Sequence, residues 1–390
     1  MQPNPNSEPS KAQNYSPILG LPVDDEPESA PQPAAQDDGA RLELSVIVPA
    51  RNEEANLPAC LASLLAQDDK LFQLNVDWEL WIVDDESTDR TYAIADEAAA
   101  GHDGVHVMSP PKLELRAAKR EFTGKNNACW AAAQQAQGRW LLFTDADTIH
   151  EPGDLERALH EAKKHEAALL SYSPQQMVSG FWQRALMPLV FSELATVYPM
   201  AEVNDPARKL AAANGQFLMV ERKAYFAVGG HKAVGTCVLE DVELAYNVKR
   251  SKRKLRFRYA PDALSTRMYR GFRDMVEGWT KNLALLFPHA LSLAAWRVLD
   301  IALLLLPLLF WVIPYLLLWQ QIAILALWAR TLLRFYRRVA RSNFGFVNCA
   351  ISVLALPLFI YLLLSSWMRH KLLHQVSWKG REYRTGNERS

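Results

Sequence analysis

The chain reads as an α/β protein with a mostly parallel sheet, followed by C-terminal membrane helices. Three observations lead there. From residue 42 onward, short apolar or β-branched runs alternate with helical patterns. Acidic pairs sit at the ends of two of those runs. The last third holds long stretches with almost no polar side chain.

Lys+Arg and Asp+Glu both total 43, so the formal net charge is zero and nothing points to a nucleic-acid partner. Residues 1–40 are rich in Pro, Asn, Ser, Gln and acid. Such a segment buries too little apolar surface to offset its ordering entropy, and a disordered tail without chemistry is expected. No basic start followed by an apolar stretch is present, so no secretory signal is expected. Cys60, Cys129, Cys237 and Cys349 lack metal or disulfide spacing and are expected to fill the core in a reducing compartment.

The elements follow in order. Residues 44–49 form a short buried strand, and 53–66 place apolar side chains at helical spacing. A second strand, 78–83, ends in Asp84-Asp85. Ser87-Thr88-Asp89 then supplies a cap for a helix over 92–100. Residues 105–108 make a third strand, 124–137 an Ala-rich helix and 140–144 a fourth strand ending in Asp145-Ala146-Asp147. Further on, 169–173, 215–220 and 255–259 are expected as strands and 238–250 as a helix. Ligands of parallel sheets bind beyond the carboxyl ends of strands, so both acidic pairs are expected to converge on one cleft.

Asp145 and Asp147 suit a divalent cation such as Mg²⁺ or Mn²⁺, which takes carboxylate oxygens and shares its shell with substrate phosphates. The alternative for Asp147 is helix capping before Pro152. Asp84 and Asp85 can accept hydrogen bonds from a nucleobase or ribose, or cap the next helix. Glu240-Asp241 opens a helix, where a carboxylate stays ionised and can take a proton from an attacking hydroxyl, or simply cap. Lys125 opens a helix after Gly124, a place that faces anions. Arg267, Tyr269, Arg270, Trp279 and Lys281 lie just before the apolar region and can stabilise a leaving diphosphate.

Residues 298–313, 314–329 and 344–367 are almost wholly apolar. The stretch 298–329 is too long for one upright crossing and too short for two, with Pro307 and Pro314 able to bend or divide it. Basic segments on both sides of 344–367 (Arg330 to Arg341, then Arg369 onward) conflict with a full crossing, and a shallow or re-entrant helix removes the conflict. Phe272, Met275, Val276, Trp279, Leu283 and Leu286 recur at helical spacing and suit the bilayer interface.

Four motifs now stand in order: Val46-Ile47-Val48-Pro49-Ala50-Arg51-Asn52-Glu53, Val83-Asp84-Asp85-Glu86-Ser87-Thr88-Asp89, Asp145-Ala146-Asp147 and Glu240-Asp241. Together they resemble family 2 glycosyltransferases with the Rossmann-like GT-A fold, over roughly residues 42–283. The closer likeness is to membrane-bound bacterial members that glycosylate carotenoid or hopanoid-type lipids. It rests on Gly229-Gly230-His231, Arg267-Met268-Tyr269, Gly278-Trp279-Thr280-Lys281-Asn282 and Trp378-Lys379-Gly380-Arg381.

The resemblance implies inverting transfer from a nucleotide-diphospho-sugar, UDP-linked, to a hydroxyl or carboxyl of a membrane lipid. It implies that Glu53 and Asp84 contact uridine, with Pro49 and Arg51 on the same donor side. Asp145 then touches ribose or sugar, Asp147 ligates the metal, and Asp241 or Glu240 is the base. Two departures stand out. The Gln-x-x-Arg-Trp motif of processive members is replaced by Glu277-Gly278-Trp279-Thr280-Lys281, and no N-terminal transmembrane helix is expected, which leaves anchoring to the C-terminal segment. A polysaccharide synthase and an inactive, membrane-tethered nucleotide-sugar-binding protein are the competing expectations.

The expected organisation is a tail over 1–40, a catalytic domain over 41–283, membrane-embedded helices over 284–373 and a basic tail over 374–390. The catalytic domain is expected on the cytoplasmic side of a bacterial-type membrane.

Overall fold

The structure is a computed structural model that describes residues 41–113, 122–313, 315–373, 375–378 and 381–384. The expected N-terminal tail, Lys379-Gly380 and most of the last residues lie outside these.

Four parallel strands open the fold: β1 (Leu42–Ala50), β2 (Trp78–Asp84), β3 (Val105–Met108) and β4 (Gly138–Phe143). Helices α1 (Leu57–Leu65), α2 (Thr91–Gly101) and α3 (Gly124–Gln135) connect them. The seven-stranded sheet runs β3-β2-β1-β4 and then β8 (Leu218–Glu221), β6 (Leu169–Ser173) and β9 (Leu255–Tyr259). Its order reverses between β1 and β4, which opens a crevice at their carboxyl ends. Leu44, Val46 and Val48 of β1 pack into one buried cluster and Ile47 into the other, so the strand is apolar on both faces.

After β4 comes β5 (Thr148–His150), then α4 (Asp154–Lys164), β6 (Leu169–Ser173) and β7 (Gln175–Gln176). Helix α5 (Gly180–Val197) and the short α6 (Met200–Asn204) lead to β8 (Leu218–Glu221), which runs antiparallel to β4 and β6. Helices α7 (Arg222–Ala227), α8 (Gly230–Ala233) and α9 (Glu240–Arg250) precede β9 (Leu255–Tyr259), which is parallel to β6. Strand β10 (Leu264–Thr266) joins β5 and β7 in a small second sheet.

Two expected boundaries move for local reasons. Helix α1 begins at Leu57 rather than residue 53, because Asn52 adopts φ 52° and the next residues turn toward the loop after β2. Strand β8 begins at Leu218 rather than residue 215, because Asn214 closes a turn by accepting from the amides of Gln216 and Phe217. Asp147 is not a cap before Pro152: β5 follows it, and α4 starts only at Asp154.

The C-terminal part holds α10 (Phe272–Leu286), α11 (Ala290–Leu304), α12 (Leu309–Val312), α13 (Leu318–Val339), α14 (Phe346–Ile351) and α15 (Leu356–Met368). Two segments, Ala290–Leu308 and Phe346–Lys371, are apolar and long enough to cross a bilayer by composition. Of the apolar stripe of α10 expected at the interface, Phe272 is exposed and Val276 and Leu286 are partly buried. Met275, Trp279 and Leu283 are buried in a cluster with Leu186, Leu189 and Val190 of α5 and Leu356, Phe359 and Leu363 of α15.

The parallel pairing of β1 with β4 fixes the crevice, and Gly138 sets how closely they approach. A Cβ there would lie 2.4 Å from the amide nitrogen of Ser45. The Gly138 amide also donates to Ser45 Oγ at 2.7 Å, and that hydroxyl donates to Glu79 Oε1 at 2.6 Å. Gly138→Ala is expected to cost about 1–3 kcal/mol of stability, read as a lower denaturation midpoint of the full chain. An unchanged midpoint contradicts this account of the strand spacing.

Candidate functional site

A cavity of about 320 Å³ lies at the carboxyl ends of β1 and β4, closed by the first turns of α3 and α9 and by one face of α10. Pro49, Arg51 and Glu53 line it at the end of β1. The loops after β1 and β2 hold each other. Arg51 donates to the carbonyl of Asp85, the Asn52 amide to Ser87 Oγ at 3.0 Å, the Glu53 amide to Thr91 Oγ1 at 2.8 Å, and the Thr88 amide to Asn52 Oδ1 at 2.9 Å. The motifs after β1 and β2 are therefore one interlocked structure. Asp85 lines the cavity, whereas Asp84 sits behind it at 5% exposure and accepts from the Ser87 amide at 3.3 Å.

Asp145, Ala146 and Asp147 line the cavity from the turn between β4 and β5. Side chains beneath hold that turn by its carbonyls. Thr148 donates to the Asp145 carbonyl at 2.7 Å, and Thr266 to the Asp147 carbonyl at 3.2 Å. His150 bonds Asp154 Oδ2 at 2.8 Å through Nδ1, with Nε2 3.1 Å from Thr144 Oγ1. This buried polar support was not expected from the sequence, because β5 and β10 are three-residue strands too short to show a period.

Lys125, in the first turn of α3, reaches both sides of the cavity. Its Nζ lies 2.8 Å from Asp145 Oδ1 and 2.9 Å from Glu240 Oε1. Burial alone would push this ammonium down, but the two carboxylates outweigh it and hold its pKa well above the ordinary lysine range. Glu240 and Asp241, at the start of α9, are driven apart. Burial opposes the ionisation of Glu240, yet Lys125 overcomes it and keeps that carboxyl below its usual range. Burial, reinforced by the charge of Glu240, raises Asp241 to about 7. Asp241 Oδ2 accepts from the Gly215 amide at 2.7 Å and Oδ1 from the Val242 amide at 2.8 Å. A Cβ on Gly215 would lie 3.0 Å from Lys125 Nζ, so backbone fills the centre of the site.

Lys281 lines the opposite wall from α10, and burial lowers its pKa. Tyr269 lines the cavity too, with Gly278 packed so close that a Cβ there would lie 2.5 Å from the Tyr269 ring. Two expected donor contacts are elsewhere. Arg267 is exposed and does not line the cavity. Trp279 is 3% exposed between Tyr269 and Phe191, with ring centroids at 5.9 and 6.4 Å, and packs the wall from behind. His231 is also structural: its Nδ1 bonds Tyr225 Oη at 2.9 Å, and burial lowers its pKa to about 4, so it stays neutral.

Among the described residues no three His, Cys, Asp or Glu side chains gather as a ready metal-ligand set. Asp145 and Asp147 instead offer carboxylate oxygens at the cavity wall, which fits a hard cation sharing its shell with phosphate oxygens.

Asn126 shows how the loop before Asp241 is held. It is fully buried, and its Nδ2 donates to the carbonyls of Val234, Gly235 and Cys237 at 3.0, 2.8 and 3.2 Å. Asn126→Ala is expected to cost about 1–3 kcal/mol and to raise deuterium uptake in peptides covering residues 234–237. Unchanged uptake contradicts the clamp.

Residues 45–226 match the family model described as Glycosyl transferase family 2. The 4,4'-diaponeurosporenoate glycosyltransferase of Staphylococcus haemolyticus (strain JCSC1435) is 27% identical over 364 residues, covering 87% of this chain and 88% of that protein. The protein of the same name from Staphylococcus aureus (strain USA300) is 25% identical over 358 residues, covering 88% and 89%. Among solved structures, mannosyltransferase PcManGT from Pyrobaculum calidifontis, in complex with GDP-Man and Mn²⁺, superposes with a TM-score of 0.52 at 19% identity. That likeness covers 88% of this chain and 91% of that chain and is one of fold. The chain is a glycosyltransferase with the GT-A fold, and its residues 45–226 match family 2.

Proposed function

We propose that the enzyme moves a sugar, with inversion, from a UDP-linked donor to a hydroxyl or carboxyl of a membrane lipid of carotenoid or hopanoid type. The observation that carries this reading is the single cavity shared by Asp145, Asp147, Lys125, Lys281 and Asp241. Support for the acceptor class comes from the relatives, whose name gives 4,4'-diaponeurosporenoate as their substrate.

In this reading Pro49, Arg51, Glu53 and Asp85 receive the nucleoside, and Asp145 contacts ribose or sugar. Lys125 and Lys281 neutralise the diphosphate. Asp147, with Asp145 beside it, would hold a Mg²⁺ or Mn²⁺ ion, which supplies Lewis-acid neutralisation of phosphate charge when bound. Asp241 takes the proton of an acceptor hydroxyl. The hydroxyl oxygen bonds to the anomeric carbon on the face opposite the diphosphate, and the bond from that carbon to the diphosphate oxygen breaks. Adjacent carboxylates with separated proton affinities divide the roles: Glu240 stays ionised against Lys125, while Asp241 exchanges a proton near neutrality. A carboxylate acceptor needs no base, because it attacks directly.

The test is a labelled-donor assay. Membranes from cells expressing the chain are given several radiolabelled nucleotide sugars, and the lipid extract is separated. Label in the lipid fraction is expected. Label in an aqueous polymer supports the polysaccharide-synthase alternative, and absence of any transfer supports the inactive binding protein.

For a hydroxyl acceptor, Asp241→Asn is expected to lower turnover by ~10²–10⁴ with nucleotide binding retained. The base must be deprotonated, so the wild-type rate is expected to rise with pH through about 7 and to fall below it. A flat profile, or normal turnover by Asp241→Asn, returns Asp241 to a capping role. Asp147→Ala is expected to abolish metal-stimulated transfer without changing the melting midpoint, and full activity of this variant in excess EDTA contradicts the metal role.

A further inference from the structure

Among the described residues of 301–330, none is buried. Helices α11 and α13 leave the protein body side by side and are joined through α12 at an apolar tip. Residues 301–329 contain no Asp, Glu, Lys, Arg or His. Leu318, Trp319, Ile322 and Leu325 are 72%, 65%, 58% and 47% exposed, and over residues 318–329 only the face of Gln320, Ile324 and Trp328 is half-buried. On α13 only Thr331, Phe335 and Val339 are buried, all beyond this stretch.

The base of the projection is ionic. Asp300 accepts from Arg297 at 2.7 Å, Arg334 at 2.8 Å and Arg338 at 3.0 Å. Glu193 of α5 lies 3.4 Å from Arg297 and 3.2 Å from Arg338. This network marks the level at which burial ends and the apolar tip begins. Arg330, Arg337 and Arg341 are exposed around the same level.

We propose that this hairpin enters one leaflet of a bilayer and returns, and that none of the described helices crosses the membrane. Length supports the first part. Residues 318–329 give about 18 Å of helix, against a hydrocarbon core of about 30 Å. The hairpin therefore reaches roughly one leaflet before its charges meet the headgroups. Its turn is adapted to a medium without water: Gln320 Oε1 accepts from the Leu317 amide at 2.9 Å, and Gln321 Nε2 donates to the Leu316 carbonyl at 3.0 Å. The exposed arginines match anionic headgroups.

The other apolar segment returns to the catalytic body at both ends. Near its start, Asn348 Oδ1 accepts from Arg184 Nε of α5 at 3.0 Å. Near its end, His370 Nε2 bonds the carbonyl of Lys281 at 2.6 Å, beside the cavity. Between them the helix breaks at the buried Ser352 and Ala355. Both basic segments thus stay on one side. This inference rests on no reading of donor or acceptor.

The test uses the full chain in sealed membrane vesicles of both orientations. Cysteines are placed by Tyr315→Cys at the tip and Arg341→Cys at the base, treated with an impermeant maleimide and located by peptide mass spectrometry. Arg341→Cys is expected to react only from the side of the catalytic domain. Tyr315→Cys is expected to react from neither side until detergent is added. Labelling of Tyr315→Cys from the opposite side means a crossing and overturns the proposal. Labelling from the catalytic side without detergent means that the tip is not embedded and overturns it equally. No transfer is measured, so failure of the glycosylation reading leaves this result intact.

Discussion

The site depends on the two ion pairs of Lys125, to Asp145 at 2.8 Å and Glu240 at 2.9 Å. Asp145 follows the parallel half of the sheet, Glu240 opens α9 between β8 and β9, and Lys125 lies in the first turn of α3 between β3 and β4. One ammonium therefore draws together two carboxylates that stand 95 residues apart in the chain. It also sets the chemistry: by holding Glu240 ionised, it leaves burial and the Glu240 charge to raise Asp241. Asn126, the next residue, clamps the loop that leads into α9, so the first turn of α3 fixes both the charge of Glu240 and the position of the Glu240-Asp241 pair.

Much of the catalytic fold is legible in the amino-acid sequence. Strands β1 to β4 are apolar on both faces, and the motifs at their carboxyl ends are contiguous, so strand ends and acidic residues fall on one edge by pattern alone. What pattern does not place is anything set by side-chain direction at a turn. Asp84 and Asp85 are neighbours in sequence, yet only Asp85 faces the cavity. Trp279 and Lys281 lie on one helix, but only Lys281 points inward. Gly215 carries no signal at all. Its amide is the donor to Asp241, and it arises from a turn that a strand-like run conceals.

The helical part is legible in composition and not in direction. Apolar content suggests helices bound for lipid, and the stripe on α10 looks like part of that surface. Burial of Met275, Trp279 and Leu283 against α5 and α15 turns it into internal packing instead. The charges near 297–300 look like an end of a span; they form the buried base of a projecting hairpin. The apolar C-terminal segment and the cavity are thereby joined through α10, which carries Lys281 on the cavity side and receives His370 from just beyond α15.

The central claim is that Lys125 joins the nucleotide and acceptor halves of one site and meets the diphosphate there. Calorimetric titration of the detergent-solubilised full chain with UDP in the presence of Mn²⁺ tests it most directly, comparing wild type with Lys125→Met at matched melting midpoint. The account predicts clear binding by wild type and at least tenfold weaker binding (about 1.4 kcal/mol) by Lys125→Met. Equal affinity in the two proteins would contradict it.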